Sequence, residues 1–262
     1  MTGLIRFYNH PELDNPQLVA SWPSIGDVSL IVARYLYRKL DFHAFGEIEA
    51  SHFFNPTGVI VRDNIVEAPG FPQNKFYYFK NSEAGDIILF IGDQQPIIKN
   101  YELASCVLQV GVEFGISCVY TLAAALTRMH YAETSRVWAV GTNRNVLDSL
   151  KQYNLAKASN LHISGLNGLL MGIAKEQNID GICLLGEVPN YFTQMKNPMA
   201  AFAVIKVLQK MLNINVETDE LRELAEMSRK QMKQLMTDVT ETYIGNFTEP
   251  IWESDSGKTE DG

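Results

Sequence analysis

Short apolar runs recur along the chain, and stretches with helical periodicity separate them. Several runs are apolar at consecutive rather than alternate positions, which is typical of strands covered on both faces in a mostly parallel sheet. The pattern predicts strands over Leu18–Trp22, Gly58–Arg62, Lys75–Lys80, Asp86–Gly92, Ile116–Leu122, Val137–Thr142 and Gly181–Glu187.

Between these runs, apolar residues recur at three- and four-residue spacing, which predicts amphipathic helices. The clearest span Asp27–Leu40, Asn100–Gly115 and Asn197–Leu212. The last begins with Pro198, which suits the first helical position because no N–H is needed there. Strands alternating with helices predict a three-layer α/β/α fold.

The segment 43–80 differs, because it is rich in aromatic residues and contains the turn sequences RDN and PGFPQN. It predicts short antiparallel strands at one edge of the sheet. No linker interrupts the chain, so residues 1–217 are predicted to form one α/β domain. A C-terminal helix over 218–240 follows it, and the acidic tail 241–262 is predicted to be disordered.

The C-terminal helix, predicted over Thr218–Val239, forms an amphipathic arm that begins at the N-cap Thr218. Two interpretations remain open. The helix lies on its own domain, or it contacts another subunit or partner, for which its methionines are suited. The candidate interface residues are Leu221, Leu224, Met232, Leu235 and Met236.

Composition narrows the class of protein. Hydrophobic residues make up 46% and charged residues 20%, as in globular proteins. The formal net charge of −8 disfavours nucleic-acid binding, since the chain has no compensating basic patch. The longest apolar stretches are too short to span a membrane, and the first residues do not resemble a signal peptide. We expect a soluble cytoplasmic protein.

Residues that bind metals or act as nucleophiles form no motif. The five histidines are widely separated, and no GxSxG sequence occurs. Cys106, Cys118 and Cys183 lie in apolar runs, so we expect buried free thiols. The sequence therefore predicts no metal, no cofactor and no catalytic residue.

The stretch ISGLNGLLMGIAKEQNIDGICLLGE, from Ile163 to Glu187, has a glycine pattern that could cradle a phosphate. It matches neither GxGxxG nor GxxxxGK[ST], and its turn contains no lysine. We therefore interpret Gly165, Gly168 and Gly172 as close-packing positions.

Two carboxylates, Asp93 and Glu187, end predicted strands. Ligands of open α/β sheets bind beyond the carboxyl ends of strands, where the SWPSIG turn also places Trp22 and Gly26. These four residues form the candidate ligand pocket. The carboxylates can equally cap the turns that follow them.

Four features together resemble the proteasome assembly chaperone 2 family: ASWPSIGDVSLIVARYLYRKL, the aromatic and proline-containing segment 43–80, DIILFIGDQQP and the glycine-containing stretch ending at Glu187. The resemblance covers Leu18 to Leu212. It implies a phosphorylase/hydrolase-like α/β/α fold and self-assembly into homo-oligomers. It also implies a non-enzymatic chaperone that acts on proteasome subunits or another protein assembly.

One feature departs from the family. Some members dock on the proteasome through a C-terminal hydrophobic–tyrosine–any tripeptide, whereas this sequence finishes with Glu260, Asp261 and Gly262. Its TYIG sequence, from Thr242 to Gly245, is internal. The alternative function is a small-molecule binder or hydrolase/phosphorylase-like enzyme with its site at the carboxyl ends of the strands.

Overall fold

In residues 3–156 and 160–248, which the computed structural model describes, strands and helices alternate over most of the chain. The strands are β1 Ile5–Phe7, β2 Gln17–Ser21, β3 His43–Ile48, β4 Val61–Arg62, β5 Ile65–Val66, β6 Asn74–Phe79, β7 Ile87–Gly92, β8 Cys118–Thr127, β9 Val137–Gly141 and β10 Gly181–Pro189. The helices are α1 Val28–Lys39, α2 Asn100–Glu113, α3 Arg144–Ser149, α4 Gly165–Glu176, α5 Pro198–Leu212 and α6 Asp219–Thr248.

Eight strands form one sheet in the order β1-β3-β6-β7-β2-β8-β10-β9, and β4 and β5 form a separate hairpin. Among the strands that the structure describes in this sheet, only the pairs β7–β2, β2–β8 and β8–β10 are parallel. The prediction of a mostly parallel sheet is therefore corrected to a mixed sheet. The chain passes from β3 to β6 and from β6 to β7 without the α-helical crossover that parallel pairing requires, and these pairs are antiparallel. The pairs β1–β3 and β9–β10 are antiparallel as well.

Helices cover both faces of the sheet. Along β7, Ile87, Leu89 and Ile91 pack towards α1 and α5, whereas Ile88 and Phe90 pack towards α2 and α4. All five side chains are buried. Burial on both faces explains why the central strands are continuously apolar in the sequence.

The last helix, α6, packs along α5 and runs towards the carboxyl ends of the central strands. Near its start, Lys39 of α1 contacts Glu217 and Glu220, and further along Met232 packs with Phe192 and Met199. The helix extends to Thr248, past the predicted end, so 241–248 is helical. The rest of the predicted disordered tail, from residue 249, lies outside the described residues. Within the described residues, no helix is both long and apolar enough to cross a membrane.

Candidate functional site

A cavity of about 760 Å³ opens at the carboxyl ends of β2, β8 and β10. The segment after β2 lines one side, and the second half of β8 lines another. The start of α4 contributes Gly165 and Asn167. The cavity lies where open α/β sheets bind ligands.

Strand β8 reaches further into this region than its neighbour β2. The pairing of β2 with β8 ends at Ala20↔Thr121, whereas β10 continues beside β8 as far as Pro189↔Thr127. Residues 122–127 of β8 therefore have a neighbouring strand on one side only among the described residues. We call this segment the open β8 edge.

Of the four predicted pocket residues, Trp22 and Gly26 flank the segment that lines the cavity. Trp22 is fully buried, and its backbone N–H and C=O both bond the side chain of Asn167, at 3.1 and 3.2 Å. Gly26 has a φ of 63°, and a Cβ atom there would lie 2.9 Å from the Cβ of Asn197. Both residues thus shape the turn into α1, and neither lines the cavity.

The predicted pocket carboxylate Asp93 lies in the loop after β7. Its side chain is partly exposed, pairs with Arg34 at 3.1 Å and accepts a weaker bond from the N–H of Gln73 at 3.3 Å. It lines a second depression, together with residues of the loops 53–58 and 70–72. The structure does not bring Asp93 together with Glu187 in one pocket lining.

Glu187, the other predicted carboxylate, is buried near the end of β10 and carries four hydrogen bonds. Arg136 donates to it from its backbone N–H at 3.2 Å, from Nε at 3.0 Å and from Nη2 at 2.9 Å. Trp138 Nε1 donates at 2.8 Å. Burial opposes ionisation, but these bonds outweigh it and hold the pKa of Glu187 below its usual value. Its oxygens are occupied within the protein, and its contact with the cavity runs through Trp138, which lines it.

The three glycines of the α4 segment have different surroundings. Gly165 needs the conformational freedom of glycine, because its φ of 77° lies in the left-handed region that other residues rarely adopt. At Gly168 a Cβ atom would lie 2.1 Å from the carbonyl oxygen of Ile163, so the chain makes a close approach there. At Gly172, nothing lies within 4 Å of an added Cβ atom, and this position shows no close packing.

The side chain of Gln95, a residue that no sequence pattern singles out, contacts the start of α4 from the loop after β7. Its Oε1 accepts from the N–H of Leu166 at 2.9 Å, and its Nε2 donates to the carbonyl oxygen of Pro23 at 2.7 Å. A side-chain amide thus binds a backbone N–H that a phosphate would need. A glutamine in a loop gives no sequence signal for this role.

An exposed apolar hairpin rises from the same end of the sheet. We call residues 58–67, which include β4 and β5, the apolar hairpin. Ile60 is 61% exposed and Ile65 71%, and Val59, Val61 and Val66 are exposed as well. Asp63 and Asn64 form its turn with φ values of 51° and 63°, as in the tight turns that match the twist of hairpin strands.

The predicted interface residues of α6 divide between two environments. Leu221 and Met232 are fully buried in the domain, and Met236 is half-buried. Leu224 and Leu235 are exposed, together with Met227. The apolar face of α6 is thus wider than the surface that the domain covers.

The three cysteines are free thiols, with Cys106 and Cys183 buried and Cys118 half-buried. Burial raises the pKa of Cys118 and of Cys183 to about 12, and it also raises the pKa of Cys106. A thiol with a raised pKa is protonated at neutral pH and is a poor nucleophile or metal ligand. Within the described residues, no three His, Cys, Asp or Glu side chains cluster as a metal site.

Comparison with known proteins identifies relatives along most of the chain. The sequence model of the PAC2 family matches residues 18–236. The uncharacterized protein MJ1210 of Methanocaldococcus jannaschii is 30% identical over 232 residues, which cover 87% of this chain and 84% of that protein. The family resemblance found in the sequence is confirmed.

Two solved structures from Pyrococcus furiosus have the same fold. PbaB, described as an archaeal proteasome activator, is 27% identical with a TM-score of 0.75, covering 88% of this chain and 98% of PbaB. PbaA, described as an archaeal homolog of proteasome-assembly chaperone, is 25% identical with a TM-score of 0.68, covering 91% of this chain and 99% of PbaA.

Proposed function

Since the chain belongs to the PAC2 family, we propose that it is a non-enzymatic, homo-oligomeric factor that assists proteasome assembly or activation through protein–protein contacts. PbaA and PbaB, whose descriptions name these two roles, support the proposal. Their similarity extends over most of both chains, so the proposal does not depend on a shared fragment.

The observation that carries the proposal is that α6 has apolar residues on an exposed side as well as on the side that packs against the domain. Leu224, Met227 and Leu235 share one side of the helix. Met227 and Leu235 lie three and eleven residues after Leu224, and at 3.6 residues per turn both spacings are close to a whole number of turns. All three are exposed, while the adjacent side of the same helix is buried against the domain. An exposed apolar stripe of this kind is typical of a helix that binds a partner protein.

The test is binding to purified α subunits of an archaeal 20S proteasome, measured by sedimentation and by the yield of assembled α rings. We expect the wild-type chain to bind, and the double variant Leu224→Asp/Leu235→Asp to bind at least about tenfold more weakly, as for central apolar contacts. Lys233→Asp is the control, since it places the same side chain at an exposed position elsewhere on α6.

Two results would count against the proposal. If the wild-type chain neither binds α subunits nor changes ring yield, the proteasome role is rejected. If the double variant binds as well as the wild type, the contact does not involve α6.

A second candidate function is small-molecule binding, which the 760 Å³ cavity favours because its size is within the usual range of ligand pockets. A thermal-shift screen of metabolites and nucleotides tests it. A ligand in the cavity should raise the melting temperature, and Glu187→Gln should diminish that shift by releasing Trp138. A screen without shifts argues against this candidate.

A further inference from the structure

The open β8 edge has the features of a site for an added strand. Leu122 to Thr127 extend roughly 20 Å at the usual rise of a β-strand. Leu122 and Ala123 are buried, whereas Ala124 to Thr127 are partly exposed, and no described strand pairs with them on the side where β2 has ended. Alanines occupy positions 123, 124 and 125, so no bulky side chain prevents a neighbouring strand from approaching. Exposed sheet edges of this kind bind extended segments through main-chain hydrogen bonds.

The cavity beside this edge selects an uncharged occupant. Apart from His162, none of the described residues that line it is titratable. Ile25, Ile163 and Leu185 contribute apolar surface, and Leu126 of the edge itself is 45% exposed. A charged segment would lose hydration there without gaining a partner. The cavity therefore suits a strand with aliphatic side chains.

The apolar hairpin has this chemistry and is already folded. Its strands pair in register, with Val61↔Val66 and Arg62↔Ile65, and Arg62 is paired with Glu67 at 3.3 Å. Its aliphatic side chains are exposed, and β4 and β5 pair with each other rather than with the main sheet. An isolated two-stranded hairpin is marginally stable in water, so covering these side chains would stabilise it.

We propose that the apolar hairpin of one copy adds to the open β8 edge of a second copy and covers that copy's cavity. The hairpin is exposed in its own chain, so the acceptor is a different molecule. This inference rests on the proposed homo-oligomeric function and names the contact that builds the oligomer.

The contact joins two different surfaces, and this determines the form of the assembly. Each copy has one donor hairpin and one acceptor edge, so the interface is heterologous and a closed ring is the assembly that satisfies every copy. A ring would leave no apolar hairpin exposed. The exposed side of α6 is outside this contact and remains for a partner protein.

The test uses two variants that each disable one surface. Ile60→Asp/Ile65→Asp places charges on the hairpin, and Leu126→Asp places one beside the cavity; all three positions are exposed, so the fold is expected to persist. Val112→Asp, at an exposed site on α2, is the control. Mass is measured by analytical ultracentrifugation, and circular dichroism verifies folding.

We expect the wild type and the control to form oligomers of the same mass, and each of the two variants to be a monomer of 29.5 kDa. An equimolar mixture of the two variants should form a dimer that grows no further, because only one intact donor and one intact acceptor remain. An interface between identical surfaces would not produce this dimer.

A second measurement does not depend on disabling variants. Oxidation of a mixture of Ile65→Cys and Leu126→Cys chains should give disulfide-linked dimers containing one of each, with either chain alone giving far fewer.

The inference is overturned if the hairpin variant keeps the wild-type mass. It is also overturned if the mixture of the two disabling variants remains monomeric and the mixture of the two cysteine variants remains uncross-linked. Those results leave the α-subunit binding test of α6 unaffected. A monomeric wild type removes the homo-oligomer from the proposed function as well.

Discussion

Arg136 binds both carboxylate oxygens of Glu187, with its Nε 3.0 Å from Oε2 and its Nη2 2.9 Å from Oε1. The carboxylate is buried, whereas most of the arginine side chain is exposed. The pair therefore fixes the start of β9 to the end of β10 at low desolvation cost on the arginine side. It is a structural contact beside the cavity rather than a free acid within it.

Replacing Glu187 by Gln should lower the free energy of unfolding by about 1.5–3 kcal/mol, the usual contribution of hydrogen bonds to a charged group. The amide keeps the shape of the side chain but loses the charge and one acceptor. Urea denaturation at neutral pH measures the change. Glu223→Gln, at an exposed position of α6, is the matched control and should stay within about 0.5 kcal/mol of the wild type. Equal effects of the two changes would contradict the structural role.

Lowering the pH should destabilise the protein, because Asp86 and Glu187 then become protonated. Burial opposes ionisation of Asp86, but bonds from Lys80 Nζ and from the N–H groups of Asp14 and Asn81 outweigh it and lower its pKa. Both folded-state pKa values are therefore below the unfolded ones. Their contribution is complete above the unfolded values of about 4 and is lost as the pH falls through the folded ones.

The free energy of unfolding, measured in urea from pH 6 to the acid limit of folding, should thus decline below about pH 4. Glu187→Gln should make this decline shallower, because one of the titrating groups is gone. A variant with the same acid dependence as the wild type would show that Glu187 has the same pKa in both states.

The glycines of α4 give a matched pair of substitutions. Gly168→Ala should cost about 1–3 kcal/mol, because a Cβ atom would collide with the carbonyl group of Ile163 and the turn would have to move. Gly172→Ala should stabilise the protein by up to about 1 kcal/mol, since alanine favours the helix and meets nothing within 4 Å. Thermal unfolding of both variants provides the measurement. The same sign for both changes would show that α4 packs differently.

Local patterns in the sequence predict most of the elements but not their pairing. The strands at β2, β7, β8 and β10 are recognisable because they are buried on both faces and consist of apolar runs. The turn sequences of 43–80 predict antiparallel strands, as β3 and β6 are, but no residue in the segment specifies which strands they pair with. The short strand β1 contains one arginine and has too few residues to be detected by periodicity.

In the candidate site, too, local patterns in the sequence predict some features and miss those that depend on strand pairing. The strand-end rule directs attention to the end of the sheet where the cavity lies, but none of the four residues that it selects, Glu187 included, lines that cavity. The partner of that carboxylate, Arg136, lies 51 residues earlier in the chain, and only the antiparallel pairing of β9 brings it close. In the hairpin, an apolar strand in a sequence looks the same whether it is buried or exposed, so the exposure of Ile60 and Ile65 could not be predicted.

A last pair of substitutions distinguishes the buried side of α6 from its exposed side. Met232→Ala should lower the free energy of unfolding by about 2–5 kcal/mol, because its side chain is fully buried among Phe192 and Met199. Leu235→Ala should change it by less than about 0.5 kcal/mol, since that side chain is exposed. Urea denaturation at a protein concentration low enough to dissociate oligomers measures both. If Leu235→Ala proves as destabilising as Met232→Ala, the outer side of α6 packs within its own chain in solution. The stripe proposed to bind α subunits would then be unavailable to a partner.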